Sequence, residues 1–179
     1  MITDPNLRWM IRRDMPEVVA LEQHDTFPWN EEEWILALRQ RNRIGMVFTR
    51  HNKYEDSPII GTVCFSLFKL HLSLNKLTIH TDHRRSGIGS RIMHYLTGKL
   101  RSHGRREIYV SVGETNPPGL LFFKSWGFKS AGVERDVYAD TEGRFRDMIM
   151  MRYELPHYVP VPSPGPMDTA ELGQSEYGF

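Results

Sequence analysis

The chain lacks several features that would mark a specialised protein. Its single cysteine, Cys64, has no partner for a disulfide within the chain. The apolar run around it, IIGTVCFSLF, makes it a buried, inert thiol rather than a nucleophile. No apolar stretch approaches the roughly 20 residues that cross a bilayer. The first residues lack the charged-then-apolar order of a secretory leader, so the cytoplasm is the expected compartment and no membrane partner is expected. Charge of one sign is missing too: a formal net charge of +1 gives no global field to draw the chain to DNA. Basic and aromatic residues do not interleave as in a nucleic-acid reader. The eight histidines are scattered without zinc-ligand spacing, so no metal is expected.

What is present is enough for one ordinary domain. Hydrophobic residues make up 40% of the 179 positions, which suits a single core of useful size. LRWMIR (Leu7–Arg12) alternates as a first strand. DMPEVVALEQ reads as a helix, with Asp14 as cap, Pro16 in the first turn and Glu17 three residues after the cap. DTFPW interrupts it, and NEEEWILALRQ opens a second helix capped by Asn30 with Glu33 closing the box. IGMVFTR and IIGTVCFSLFKL read as strands joined by the polar turn HNKYEDSP, and LSLNKLTIH alternates as a fourth strand. Ile88, Ile92, Leu96 and Leu100, with Met93 alongside, recur at helical spacing to about Ser102. EIYVSV is a short strand, and TNPPGLLFFKSWGF is a turn and short helix stopped by Gly127. Two last strands, near Phe128–Glu134 and Phe145–Leu155, flank ADTEG. The order βααβββαβαββ predicts an α+β fold around one mixed, mainly antiparallel sheet with flanking helices. From Pro156 onward prolines crowd and apolar density falls, so residues 157–179 are expected to form a disordered tail outside a domain of residues 1–156.

The fourth strand runs into HRRSGIGSRIM. A loop leaving a strand for a helix exposes backbone N–H groups that the helix does not pair, and the positive end of the helix dipole adds to them. Gly87 and Gly89 remove Cβ atoms that would hold a phosphate off the backbone. Arg84 and Arg85 add charge-assisted contacts. From His83 to Arg106 there are seven Lys or Arg and no Asp or Glu, a positive face in an otherwise balanced chain. The run Arg101–Arg106 reads as a solvated face, with contact to ribosomal RNA or an acidic partner as the alternative. The lysine of GxxxxGK[ST] is absent, and so is GxGxxG with a downstream acid, which excludes both standard nucleotide loops.

Arg84-Arg85-Ser86-Gly87-Ile88-Gly89 resembles the R/Q-x-x-G-x-G/A signature of the GCN5-related N-acetyltransferases. ETNPPGLLFFKSWGF is similar to the family's next segment, an Asn followed by a short helix ending in Gly-Phe. EQHDTFPWNEEEW and ERDVYADTEGRFRDMIMM resemble the bacterial RimI type, which acetylates the N-terminal alanine of a ribosomal protein. The likeness covers about residues 7–155. It implies acetyl-CoA as acetyl donor, held by backbone groups of Leu77, Thr78 and Ile79, by the loop Arg84 to Ser90 (Arg84, Arg85, Ser86, Gly87, Ile88, Gly89, Ser90) and by Asn116. It places Glu22, His24, Phe27, Trp29 and Tyr138 on segments lining the acceptor groove. The acceptor it implies is a protein N-terminus, a ribosomal protein included. A small amine is the rival, and an acyl-CoA-binding protein without turnover a second. Phe27 and Trp29 also fit a plain hydrophobic hinge between two helices.

The resemblance fails at two catalytic positions. A glutamate five residues before the asparagine serves that group as base; here it is Ser111. A tyrosine seven residues after it serves as acid; here it is Phe123. Ser111 through a water, or Glu114, His71 or His80, is left to take the proton. A thiol pKa of about 8.5 makes the thiolate a tolerable leaving group without an acid. An α-amine, with a pKa of about 7.7–8.0, is roughly a fifth to a third neutral near pH 7.4, whereas a lysine amine, at about 10.4, is neutral in about one part per thousand. A site without a strong base therefore suits an α-amine, attacking directly in a ternary complex with orientation and backbone N–H groups supplying the acceleration.

Overall fold

The computed structural model describes residues 4, 6–51, 57–139 and 143–156. The tail expected from residue 157, most of the HNKYEDSP turn and the centre of ADTEG lie outside them. The elements are β1 (Leu7–Trp9), α1 (Met15–Glu22), α2 (Glu31–Leu38), β2 (Arg43–Thr49), β3 (Ile59–Leu67), β4 (His71–Ile79), α3 (Ile88–Ser102), β5 (Glu107–Gly113), α4 (Pro117–Ser125), β6 (Lys129–Ala139) and β7 (Phe145–Glu154). The predicted order and the α+β class hold. The seven strands form one sheet in the order β1-β2-β3-β4-β5-β7-β6. Among the described strands only the β4–β5 pair is parallel. No helix among the described residues is long and apolar enough to cross a membrane.

Alternation along the strands feeds two cores. Met46, Phe48, Val63 and Phe65 join Ile88, Ile92, Met93, Leu96 and Leu100 of α3 and Phe123 of α4 on one face. Val47, Ile59 and Cys64 meet Met15, Val18 and Leu21 of α1 and Trp34 of α2 on the other. The predicted α3 stripe is thus wholly buried, each side chain contributing about 1.5–3 kcal/mol. Cys64 is buried as expected, and desolvation pushes its thiol up to about 12.

Local expectations divide. Asn30 caps α2: its side chain accepts from the Glu33 N–H at 2.9 Å, and the Glu33 carboxylate accepts from the Asn30 N–H at 2.8 Å. Asp14 does not cap α1. It ends a 3₁₀ turn, Arg12–Asp14, and the first strand stops at Trp9, three residues short of its expected end. Its carboxylate accepts the Ile11 N–H at 2.8 Å and both arms of Arg8 at 2.7 and 2.8 Å. Glu17 closes no box either, because its carboxylate accepts the Ile59 N–H at 2.7 Å. In both places a tertiary partner wins over the local one. β6 runs five residues beyond the expected end, so Tyr138 is a strand residue rather than part of a loop. In LLFF, Phe123 is core but Leu121 is exposed.

One irregularity positions everything that follows. Across β3–β4 the register steps from Phe65↔Leu74 to Cys64↔Lys76, so Asn75 is an extra residue, a β-bulge. Leu72 and Leu74 face the α3 side, but past the bulge that side receives Leu77 and Ile79 instead. Lys76 and Thr78 turn to the α1 side, opposite Cys64 and Thr62. Pairing between β4 and β5 stops at Leu74↔Val110, just before the bulge. The two parallel strands then part, and residues 75–79 have no strand partner on the β5 side.

Candidate active site

The loop after β4 enters α3 at Gly87, in left-handed backbone at φ 86°, and no side chain caps the helix. The Arg91 N–H bonds the Gly87 carbonyl at 3.0 Å, so the N–H groups of Ile88, Gly89 and Ser90 have no intrahelical acceptor. A Cβ built at Gly87 meets nothing within 4 Å, which leaves room over those donors for an anion. Gly89 has another reason to be glycine than the expected approach of phosphate. A Cβ there would lie 3.0 and 3.1 Å from the ring of Phe122 on α4 and 3.4 Å from Ile79. Arg85 also adopts positive φ, 63°, and is exposed beside the loop. Arg84 points elsewhere: it donates to the Ile79 carbonyl at 3.1 Å and to the His24 carbonyl. Ser86 donates to the His83 carbonyl. Asn116 caps α4 by accepting the Gly119 N–H at 3.0 Å. Unpaired amides, an open Gly87 and the strand gap together fit an extended ligand with a diphosphate at one end and an arm along Leu77, Thr78 and Ile79. Acetyl-CoA has that shape and brings an activated thioester.

The segment between α1 and α2 roofs the gap where β4 and β5 part. On the β5 side the Phe27 ring meets the Tyr138 ring edge-on, with centroids 4.2 Å apart. Both close over Gly113, where a Cβ would lie 2.5 Å from Phe27 and 2.7 Å from the Tyr138 hydroxyl. That hydroxyl sits 3.0 Å from the Thr115 hydroxyl. On the β4 side Lys76, which sequence reasoning passed over, is the hub. Its ammonium lies 2.8 Å from Glu22 and 2.7 Å from Asp25, bonds the Phe27 carbonyl, and sits 5.4 Å from the centre of the Trp29 ring. Thr78 donates to Asp25 at 2.9 Å, and the Trp29 N–H donates to Glu22 at 2.9 Å. Glu22 is only 1% exposed. Burial holds its carboxyl above the ordinary range, although Lys76 and the Trp29 amide pull it down.

The five expected acceptor residues therefore separate. Phe27 and Tyr138 form the mouth, while Glu22 and Trp29 lie beneath it around Lys76. His24 stands apart: its ring lies tilted against that of His80, with centroids 4.0 Å apart, and lines, with Arg50 and His83, a separate cavity of about 310 Å³. The catalytic candidates separate as well. Ser111 is exposed on the face of β5 that carries Gly113, two residues from the Phe27–Tyr138 roof. Glu114 is exposed and pairs with Arg146 at 3.8 Å. His71 begins β4 and stacks on Phe68 at 4.5 Å; six residues of strand, about 20 Å, separate it from Leu77. Phe123 packs between Phe122 and Phe128 with centroids 5.2 and 5.1 Å away, and is core. Among the described residues no group of three His, Cys, Asp or Glu is arranged to hold a metal ion.

Comparison with known proteins agrees with this geometry. The chain is 26% identical over 140 residues to the ribosomal protein bS18-alanine N-acetyltransferase of Escherichia coli, covering 77% of this chain and 89% of that one. It is 22% identical over 103 residues to a streptothricin acetyltransferase of Streptomyces lavendulae, covering 56% and 54%. The crystal structure of the Escherichia coli S18-alanine enzyme superposes with a TM-score of 0.72 at 20% identity, over 87% of this chain and 96% of that one. The profile of the Acetyltransferase (GNAT) family matches residues 6–128, from β1 through the glycine loop before α3 to the end of α4 and Phe128, and the chain belongs to that family of acyltransferases.

Proposed function

We propose that the protein transfers acetyl from acetyl-CoA to the α-amine of a protein or peptide N-terminus, by direct attack with both substrates bound. The observation that carries this is Ser111: the exposed residue of β5 next to Gly113 and the Phe27–Tyr138 roof is a hydroxyl and not a carboxylate. An acceptor that must lose its own proton to water is best served by an amine of low pKa, and an α-amine at about 7.7–8.0 has that property where lysine does not. The similar bS18-alanine enzymes make an N-terminal alanine, on a ribosomal protein, the first acceptor to try. The test is thiol release with peptides beginning in Ala, Ser or Met, beside blocked lysine peptides and small amines. For the α-amine, kcat/KM should rise about tenfold per pH unit and level off near pH 8. Turnover on lysine side chains alone would overturn the proposal.

A second reading has one observation in its favour. The contact between Phe27 and Tyr138 narrows the channel a peptide would use, which suits a small amine. Turnover of small amines with silent peptides would establish that reading instead.

A further inference from the structure

We propose that Lys76 is a positioning residue for the acceptor amine. It is an internal ammonium clamp that fixes the α1–α2 segment across the gap between β4 and β5, and through it the Phe27 side of the mouth. The inference rests on the acceptor reading of that mouth. The bulge at Asn75 turns Lys76 away from the α3 core and under the α1–α2 segment. There it is only 6% exposed, and its donors reach Glu22 at the end of α1, Asp25 three residues on, and the carbonyl of Phe27 itself. A buried ammonium needs such partners, since leaving any charge here unpaired is costly. The segment is thus tied by charge to β4 on one side of the gap, and by the Phe27 ring to Gly113 of β5 and Tyr138 of β6 on the other. Phe27 belongs to both ties: its carbonyl is held by Lys76 while its ring closes on Gly113 and Tyr138. The clamp's charged groups belong to β4 and the α1–α2 segment, and the glycine loop meets that segment where Arg84 donates to the His24 carbonyl, so loosening the clamp should act more on the acceptor than on the donor.

The test uses two full-length variants. Asp25→Asn removes one charge and keeps one acceptor oxygen, enough for the Phe27 N–H or the Thr78 hydroxyl. The triple variant Lys76→Met, Glu22→Gln, Asp25→Asn removes all three charges together, so none is left buried alone. Kinetics are measured with whichever amine the native protein turns over best, and amide hydrogen exchange is followed over residues 23–30 and over α3. Expected are an acceptor KM raised about threefold in Asp25→Asn and tenfold or more in the triple variant, with the acetyl-CoA KM within twofold of native. Exchange in residues 23–30 should quicken while α3 is unchanged. Should the triple variant not fold, Asp25→Asn carries the test. An unchanged acceptor KM, or unchanged exchange in residues 23–30, overturns the clamp. If the preferred amine is not an α-amine, the acceptor reading fails while the clamp is still judged. If nothing turns over, exchange alone judges it.

Discussion

The two glycines of the loop should respond to substitution in opposite ways, and that contrast tests whether the loop is a diphosphate cradle. Alanine at Gly87 must adopt φ near 86°, which costs about 1–2 kcal/mol for a residue with a Cβ. Its methyl group meets no protein atom within 4 Å, so no packing penalty adds to this. For a domain of this size that predicts a fall in Tm of about 2–8 °C. The methyl group also fills space that is open in the native protein, next in the chain to the unpaired amides of Ile88, Gly89 and Ser90. Losing even one charge-assisted hydrogen bond there costs about 1.5–3 kcal/mol, roughly a 10- to 150-fold loss of affinity for coenzyme A by titration calorimetry. At Gly89 the order reverses. A Cβ 3.0 Å from the Phe122 ring over-packs α3 against α4, costing about 1–3 kcal/mol. A helix gains about 1 kcal/mol from alanine in place of glycine. A net loss of up to about 2 kcal/mol follows, with a smaller effect on affinity, and trimming the ring with Phe122→Leu should recover it in a double-mutant cycle. Gly87→Ala with native affinity for coenzyme A would refute the cradle. Absence of coupling between Gly89→Ala and Phe122→Leu would refute the packing account.

Two further outcomes follow from buried titratable groups. Cys64, held as a neutral thiol by desolvation and pushed up to about 12, should not carry acetyl: Cys64→Ala keeps turnover, and mass spectrometry of the working enzyme finds no acetyl on this residue. Its folded pKa exceeds its unfolded one, so its share of stability is full below about pH 9 and is lost as pH rises from there toward 12, read as a falling urea midpoint that Cys64→Ala abolishes. Asp14 has the opposite sign. Burial raises its pKa, but the Arg8 fork and the Ile11 N–H outweigh burial and hold it below the ordinary carboxylate range. Its contribution is therefore present above about pH 4 and fades as pH falls further, and Arg8→Met, which strands a buried carboxylate, should cost about 3–5 kcal/mol at neutral pH.

Much of this fold was legible because its elements are amphipathic on their own terms. The α3 stripe needs only the helical period, and the Asn30 box needs only its four residues. Asp14 and Glu17 misled because their acceptors are used by Arg8 and by the start of β3, neighbours in space that no local pattern announces. The end of β6 was missed because most of that strand is exposed and shows no alternation, and its pairing with β7 is irregular between Glu134 and Tyr138.

The loop was the easiest part of the site to read and the roof the hardest, for one reason. In LSLNKLTIH, strict alternation puts Leu72, Leu74, Lys76 and Thr78 on one face, which would bury a lysine in the α3 core without a partner. The bulge at Asn75 resolves that conflict by reversing the parity, so Lys76 leaves the core for two carboxylates and a carbonyl. A charge out of phase in an alternating strand was the available signal, and its meaning appears only once the register is known. The same bulge marks where β4 leaves β5, so the residue that breaks the pattern, the gap beside Leu77–Ile79 and the ammonium held under Phe27 share a single cause. That also separates this site from one built on a carboxylate base. Its buried carboxylates, Glu22 and Asp25, are engaged in holding the roof, and the exposed residue of β5 beneath that roof, Ser111, is a hydroxyl.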